Sequence, residues 1–334
     1  MARPAVLVAR AVFAETVQRL AQHFEVEANP ADRIYAKAEL IERLRGKAGA
    51  LTTASERIDA EVLEANPQLR VVANMAVGYN NIDLAACSAR GVLVTNTPDV
   101  LTETTADFGF ALMLAAARRM SESERFLRSG AWDRWAYDLL SGTDVHGATR
   151  GSRGMGRIGQ AIARRGARGF GMRVIYHNRS RLAAALEAPL AARWVDKATL
   201  LAEADHLVLV LPYSPASHHA IGAAELALMK PTATLTNVAR GGIVDDAALA
   251  AALRERRIAA AALDVYEGEP QLHPALLELA NVVLTPHIAS ASVATRRAMA
   301  ELAADNLIAA LSGGRPPTPV NPEVLERGGR PASA

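Results

Sequence analysis

Short apolar or β-branched runs alternate along the chain with segments in which Ala, Leu, Arg and Glu recur at helical spacing. Val6 to Ala9, Ala48 to Thr52 and Val71 to Met75 read as buried strands, with a helix near Ala14 to His23 between the first two. This is the rhythm of βαβ units that build a parallel sheet. Gly91 to Asn96 predicts another strand, stopped by Pro98, and Thr102 to Arg128 carries one long helical pattern suited to linking two domains. From Met172 to Tyr176 the rhythm restarts, with His206 to Leu211, Ala233 to Asn237, Ala260 to Asp264 and Val282 to Thr285 as further strands. Ser292 to Leu311 predicts a last helix, which Gly313-Gly314-Arg315-Pro316-Pro317 breaks before a Pro/Gly-rich tail expected to be mobile. The expected fold class is α/β, with two doubly wound parallel-sheet domains and a cleft between them.

Bulk properties sharpen this picture. A chain of 334 residues exceeds what one hydrophobic core usually organises. The net charge of +2 is spread without a basic block, which speaks against a nucleic-acid surface. Cys87 is the single cysteine, so no internal disulfide is available, and the N-terminus runs straight into Ala5-Val6-Leu7-Val8 without a targeting segment. No apolar run reaches the roughly 18 residues of a membrane span. A cytoplasmic protein that binds neither membrane nor nucleic acid is expected.

Gly154-Met155-Gly156-Arg157-Ile158-Gly159 fits G-x-G-x-x-G and opens a helical segment. In that pattern glycines allow a tight turn and close backbone approach, while the helix N-terminus offers unpaired N–H groups to a pyrophosphate. The motif alone is weak, but its position before the strand ending at Tyr176 strengthens it. An NAD site calls for a carboxylate about 20 residues on, for the ribose 2′-hydroxyl. Here the strand runs into His177-Asn178-Arg179-Ser180, with no acid. Arg179 with Ser180 is therefore assigned to a 2′-phosphate, with Asn178 as a further cofactor contact, which favours NADP(H) over NAD(H). The plain alternative is that Arg179 is a solvated loop cation.

The strand feeding this loop is anomalous. Central parallel strands are covered on both faces and should be apolar, yet the sequence reads Thr149-Arg150-Gly151-Ser152-Arg153. Unpaired buried guanidinium groups cost several kcal/mol, so a distorted or shortened strand, or one held by unexpected partners, is expected.

Three strand-end segments carry candidate chemistry: one with Arg240, one with Glu269 and one with His287. Each alone has an ordinary reading as a cap, a turn carboxylate or a loop histidine. Together, on loops at the carboxyl ends of parallel strands, they can converge on one ligand crevice. Reduction of a 2-oxo acid needs a planar cation to grip the carboxylate, a task for Arg240. It also needs a proton donor for the carbonyl oxygen, a task for His287. A carboxylate orienting the imidazole completes the group, a task for Glu269.

These segments, with Val77-Gly78-Tyr79-Asn80-Asn81-Ile82-Asp83, Asn96-Thr97-Pro98, Thr104-Thr105-Ala106-Asp107, Leu211-Pro212 and Thr285-Pro286-His287, resemble the D-isomer-specific 2-hydroxyacid dehydrogenase family over nearly the whole chain. The likeness is greatest to bacterial glyoxylate, hydroxypyruvate and 2-ketogluconate reductases. The resemblance implies a flavodoxin-like substrate-binding domain from residues 1–100 and 290–334, and a Rossmann cofactor domain from residues 101–289. It implies substrate contacts from Val77 and Gly78 with Arg240 and His287. Cofactor contacts are implied for Thr105, the glycine loop, Leu211, Pro212, Val238, Ala239, Asp264 and Ala289. It also implies a homodimer, with Gly130 to Gly142, including Trp132 and Trp135, as an arm across it; ordinary core packing is the alternative for those aromatics. The family carries an apolar run where this chain has Arg150 to Arg153. Competing readings are a 3-phosphoglycerate dehydrogenase, a phosphite or formate dehydrogenase, and a nucleotide-sensing relative without catalysis.

Overall fold

The computed structural model describes residues 3–326. Two compact units divide the chain: one contains the residues up to Leu101 with those from Ser292 onward, the other Thr102–Ala291.

The first unit is built on five parallel strands, β1 (Ala5–Val8), β2 (Glu25–Ala28), β3 (Gly49–Thr52), β4 (Val71–Asn74) and β5 (Leu93–Thr95), in the order β2-β1-β3-β4-β5. That is the flavodoxin-like order. Residues of β3 and β4 are buried throughout, as central strands covered on both faces require. Asp59, Asp83 and Ser292 cap helices, each side chain accepting from the amide three residues on. The β2 strand escapes sequence detection because its Glu-Val-Glu-Ala face is largely solvated.

The tail corrects one expectation. Beyond Pro317 the chain returns to the sheet: Val320 N donates to Val94 O at 2.8 Å. Asn321 accepts from Val94 N and donates to Val92 O and Ser88 Oγ. These bonds order the tail through Asn321 against expectation; residues 327–334 lie outside the described region.

The second unit carries β6 (Thr149–Arg153), β7 (Arg173–His177), β8 (Arg193–Trp194), β9 (His206–Leu209), β10 (Thr234–Asn237), β11 (Ala260–Leu263) and β12 (Val282–Leu284). All pair in parallel in the order β12-β11-β10-β9-β6-β7-β8, so the direction of winding reverses between β6 and β9. Such a switch point is where open α/β sheets bind ligands, outside the strand carboxyl ends.

The single long helix expected from Thr102 to Arg128 is instead two, Thr102–Ala117 and Met120–Arg128. Arg119 takes a left-handed φ of 52°, and Ala117 O accepts from Thr143 N at 2.9 Å, a bond that replaces the next helical one. The segment with Trp132, Trp135 and Tyr137 lies on the surface, 54, 79 and 85% exposed, which removes core packing as its explanation. Among the described residues, no helix is long and apolar enough to cross a membrane.

The β6 strand is neither distorted nor shortened. It keeps register with β7 and β9 over its length, and pairing satisfies its backbone whatever its side chains are. The cost falls on the side chains. Arg150 is fully buried, with Nε and Nη1 lacking hydrogen-bond partners and only a 3.4 Å contact from Nη2 to Ser152 Oγ. Burial pushes its pKa down to about 9. Arg153 is partly buried and also leaves Nε and Nη1 unpaired. Neighbouring His206, by contrast, is a satisfied core histidine, with Thr234 Oγ1 at 2.9 Å and Asp144 O at 3.0 Å.

Arg150→Leu is expected to raise the unfolding free energy by on the order of 3 kcal/mol, read from urea denaturation; an unmoved midpoint would show that the strand tolerates the charge. The pH dependence has a definite sign. Burial lowers the folded pKa to about 9, well below the ordinary guanidinium value, so the native state releases this proton before the unfolded chain does. The deficit relative to Arg150→Leu is full below pH 9 and shrinks as pH rises above it.

Candidate active site

Between β6 and the Arg157–Phe170 helix, three glycines do three different jobs. Gly154 has φ 97°, and a Cβ there would lie 2.3 Å from Val210 O, so only glycine makes the turn. Gly156 caps the helix and faces open space, leaving room for a ligand to approach the backbone. A Cβ on Gly159 would lie 2.5 Å from Gly154 O, so this glycine sets the helix-to-loop packing. The division matches a dinucleotide fingerprint. Met155 is buried under the loop, Ile158 packs against the core beside it, and Arg157 begins the helix.

At the end of β7, Asn178 does something sequence reasoning missed: its Oδ1 accepts from Met155 N at 2.8 Å and ties the glycine loop to the next strand. Arg179 and Ser180 are exposed. The nearby acid, Glu187, is engaged by the Tyr176 hydroxyl at 2.5 Å and by Arg181 at 2.7 Å. Thr105 is buried on the Thr102–Ala117 helix, and its Oγ1 lacks a partner. A polar atom left dry in this way, together with the open helix terminus at Gly156, suits a bound nicotinamide dinucleotide.

The remaining site residues come from the loops after β9, β10, β11 and β12. After β9, Leu211 packs on the core and the Pro212 carbonyl accepts from Ser217 Oγ. After β10, Asn237 shapes the turn, accepting from Ala239 N at 3.0 Å and donating to Arg240 O at 3.1 Å. Val238 and Ala239 are buried, and Arg240 Nη1 donates to Ala239 O at 2.7 Å. Burial lowers the Arg240 pKa, against the opposing charge of Glu269. A Cβ on Gly241 would fall 1.7 Å from Tyr266 O. This close approach packs the β10 loop on the β11 loop.

Asp264, at the end of β11, is buried and holds the histidine loop. Its Oδ1 accepts from Ile288 N and Thr285 Oγ1 at 2.8 and 2.7 Å, and its Oδ2 from Ala289 N at 2.8 Å. Tyr266 adds a strut, its hydroxyl reaching Leu263 O and Thr285 O, both at 2.9 Å. On this frame His287 adopts a left-handed φ of 53° and sets Nδ1 2.7 Å from Glu269 Oε2. Glu269 Oε1 accepts from Tyr266 N at 2.8 Å. Burial pushes the Glu269 carboxyl up, but His287, the Tyr266 amide and the Arg240 charge outweigh it, and the net pKa lies below the usual value. The histidine and glutamate side chains are 37 and 32% exposed, so the pair is open to a small molecule.

Val77 and Gly78 lie in the first unit, in the loop after β4. Their carbonyls accept from Asn96 Nδ2 at 2.8 Å and Asn74 Nδ2 at 3.0 Å.

Known proteins resemble this chain over most of its length. Residues 110–289 match the family model for the NAD-binding domain of D-isomer specific 2-hydroxyacid dehydrogenases. The chain is 49% identical over 328 residues to the glyoxylate reductase of Thermococcus gammatolerans, covering 97% of this chain and 98% of that protein. Among solved structures, a Thermus thermophilus protein superposes with a TM-score of 0.87 at 44% identity, over 95% of this chain and 99% of that one. The NADPH-dependent glyoxylate/hydroxypyruvate reductase of Sinorhizobium meliloti, solved with NADP and malonate, gives 0.84 at 37% identity, over 96 and 97% of the two chains. The chain belongs to the D-isomer specific 2-hydroxyacid dehydrogenase family, whose members are NAD(P)-dependent oxidoreductases.

Proposed function

We propose that the chain is an NADP(H)-preferring reductase that converts small 2-oxo acids, glyoxylate and hydroxypyruvate first and 2-ketogluconate after them, to D-2-hydroxy acids. The observation that carries this reading is the 2.7 Å His287–Glu269 pair, in the electrostatic field of Arg240 at the ends of adjacent strands. A nicotinamide dinucleotide, when bound there, would supply a hydride to C2 of the substrate. Arg240 grips the substrate carboxylate and turns its carbonyl toward the imidazole. His287 Nε2 delivers a proton to the carbonyl oxygen as negative charge builds there. Glu269 holds Nδ1, which aims Nε2 at the substrate and stabilises the protonated ring.

NADP(H) preference rests on exposed Arg179 and Ser180 where a ribose-binding acid would otherwise stand, and on the NADP-bound Sinorhizobium relative. The Thr102–Ala291 unit serves as the cofactor domain and the unit carrying Val77 and Gly78 as the substrate-binding domain. The exposed Trp132, Trp135 and Tyr137 segment serves as a dimer arm. The compartment is the cytoplasm; the sole cysteine, Cys87, is buried, and desolvation pushes its thiol up to about 12, out of the reactive range.

Steady oxidation of NADPH with glyoxylate or hydroxypyruvate tests the reading, and tight NADPH binding without turnover on any 2-oxo acid would favour a nucleotide sensor instead. His287→Ala is expected to lower kcat by roughly 10² to 10⁴, and an unchanged rate removes the residue from the mechanism. Arg240→Lys should act mainly on KM, because a point charge cannot reproduce a two-bond fork; a KM equal to that of the wild type would place the carboxylate elsewhere. Arg179→Ala should weaken NADPH roughly tenfold while leaving NADH affinity nearly unchanged. Equal losses for both cofactors in a binding titration would end the 2′-phosphate assignment.

A further inference from the structure

Beside the Arg240, Glu269 and His287 group, a second cluster forms from the loops after β9 and β11. His219 has a left-handed φ of 47°, which turns it to the same side as His218, and the two rings stack at 3.9 Å with 21° between their planes. Glu267 faces both. Its Oε2 lies 2.7 Å from His219 Nε2, and its Oε1 lies 3.9 Å from His218 Nε2. The outer ring nitrogens are also placed: His218 Nδ1 is 3.2 Å from the Tyr213 hydroxyl, and His219 Nδ1 is 4.0 Å from Asp245 Oδ2.

An exposed histidine–glutamate ion pair is the ordinary reading, and exposed pairs of this kind add little to stability. It accounts for His219, and the Tyr213 hydroxyl engages His218 Nδ1, but His218 Nε2 faces the same carboxylate at 3.9 Å, beyond hydrogen-bond reach. A metal ion would engage all three side chains once the two rings, stacked 3.9 Å apart, splay so that both Nε2 atoms aim at it. Zinc–nitrogen bonds near 2.0–2.1 Å put tetrahedral ligand atoms roughly 3.3 Å apart, between the two distances seen here. Metal-binding imidazoles commonly have the other nitrogen held by an outer polar group, the position of the Tyr213 hydroxyl beside His218, while Asp245 at 4.0 Å from His219 adds charge only. Glu267, Asp245 and Asp246 all act on His219 as negative charges, a field that favours a cation.

We propose that His218, His219 and Glu267 form a site for one divalent transition-metal ion of the zinc class, with solvent completing its shell. Imidazole and carboxylate together suit zinc, cobalt and nickel. The ion would join the β9 and β11 loops across Gly242, whose carbonyl accepts from His219 N at 2.7 Å. It would thereby brace the turn that carries Arg240.

The test is a titration of tag-free protein with cobalt(II), followed by visible absorption and reversed with zinc. One equivalent is expected to bind with a ligand-field spectrum. His219→Ala and Glu267→Gln are each expected to weaken it by more than the roughly 10- to 100-fold that loss of an outer partner costs. His287→Ala should keep the spectrum, which separates this site from the proposed catalytic histidine. Circular dichroism identifies a variant that has not folded, and the other ligand variant then decides. Absence of saturable binding by the wild type, undiminished affinity in a folded ligand variant, or loss of the spectrum in His287→Ala overturns the proposal.

Discussion

The arrangement of the site depends on one buried carboxylate. Asp264 stands at the end of β11 and takes three hydrogen bonds from the Thr285 to Ala289 segment, so the loop after β12 is fastened to the strand beside it. Without that tie, the left-handed turn at His287 has little local reason to persist, because a non-glycine residue at φ 53° is disfavoured unless its surroundings hold it. The imidazole therefore reaches Glu269 through constraint rather than local preference. A fixed orientation of this kind would keep the reorganisation cost of the proposed proton transfer low.

The second constraint is steric. Gly241 lies against the Tyr266 carbonyl with no space for a side chain, and the adjoining residue is Arg240. Close contact of two strand-end loops brings a guanidinium within electrostatic range of Glu269, whose proton affinity it lowers. Cation, carboxylate and imidazole are thus consequences of parallel strands delivering successive loops to one edge, with an aspartate and a glycine setting the spacing.

Much of this was legible in the sequence. Strand positions were readable because buried parallel strands are continuous apolar runs, and β1, β3, β4 and β9 to β12 carry such runs or nearly so. The glycine spacing announced its turn, since each glycine occupies a place where a side chain collides or would block approach. Edge strands β2 and β8 were not readable, because solvated faces and two-residue pairings leave no periodic trace. The break at Arg119 escaped because it follows from a bond to Thr143, 24 residues further along, while helical periodicity continues across it. Asn178 was read as a ligand contact, and its additional tie to the glycine loop went unseen because that depends on where one amide points. The β6 strand shows the converse: its composition spoke against regular pairing, and backbone bonding to both neighbours kept it regular.

The returning tail has a consequence for how the five-stranded sheet meets its surroundings. A parallel sheet ends in two rows of unsatisfied backbone groups, each a template on which a foreign strand can grow. On the β5 side, Val320 and the Asn321 carboxamide occupy these groups. On the β2 side, Glu27 is engaged by Arg43 and Lys47, leaving a charged border. Residues that look like a dispensable extension thus act as a guard against edge-to-edge aggregation, and cutting the chain before Val320 would expose a strand of Leu, Val and Thr to intermolecular pairing.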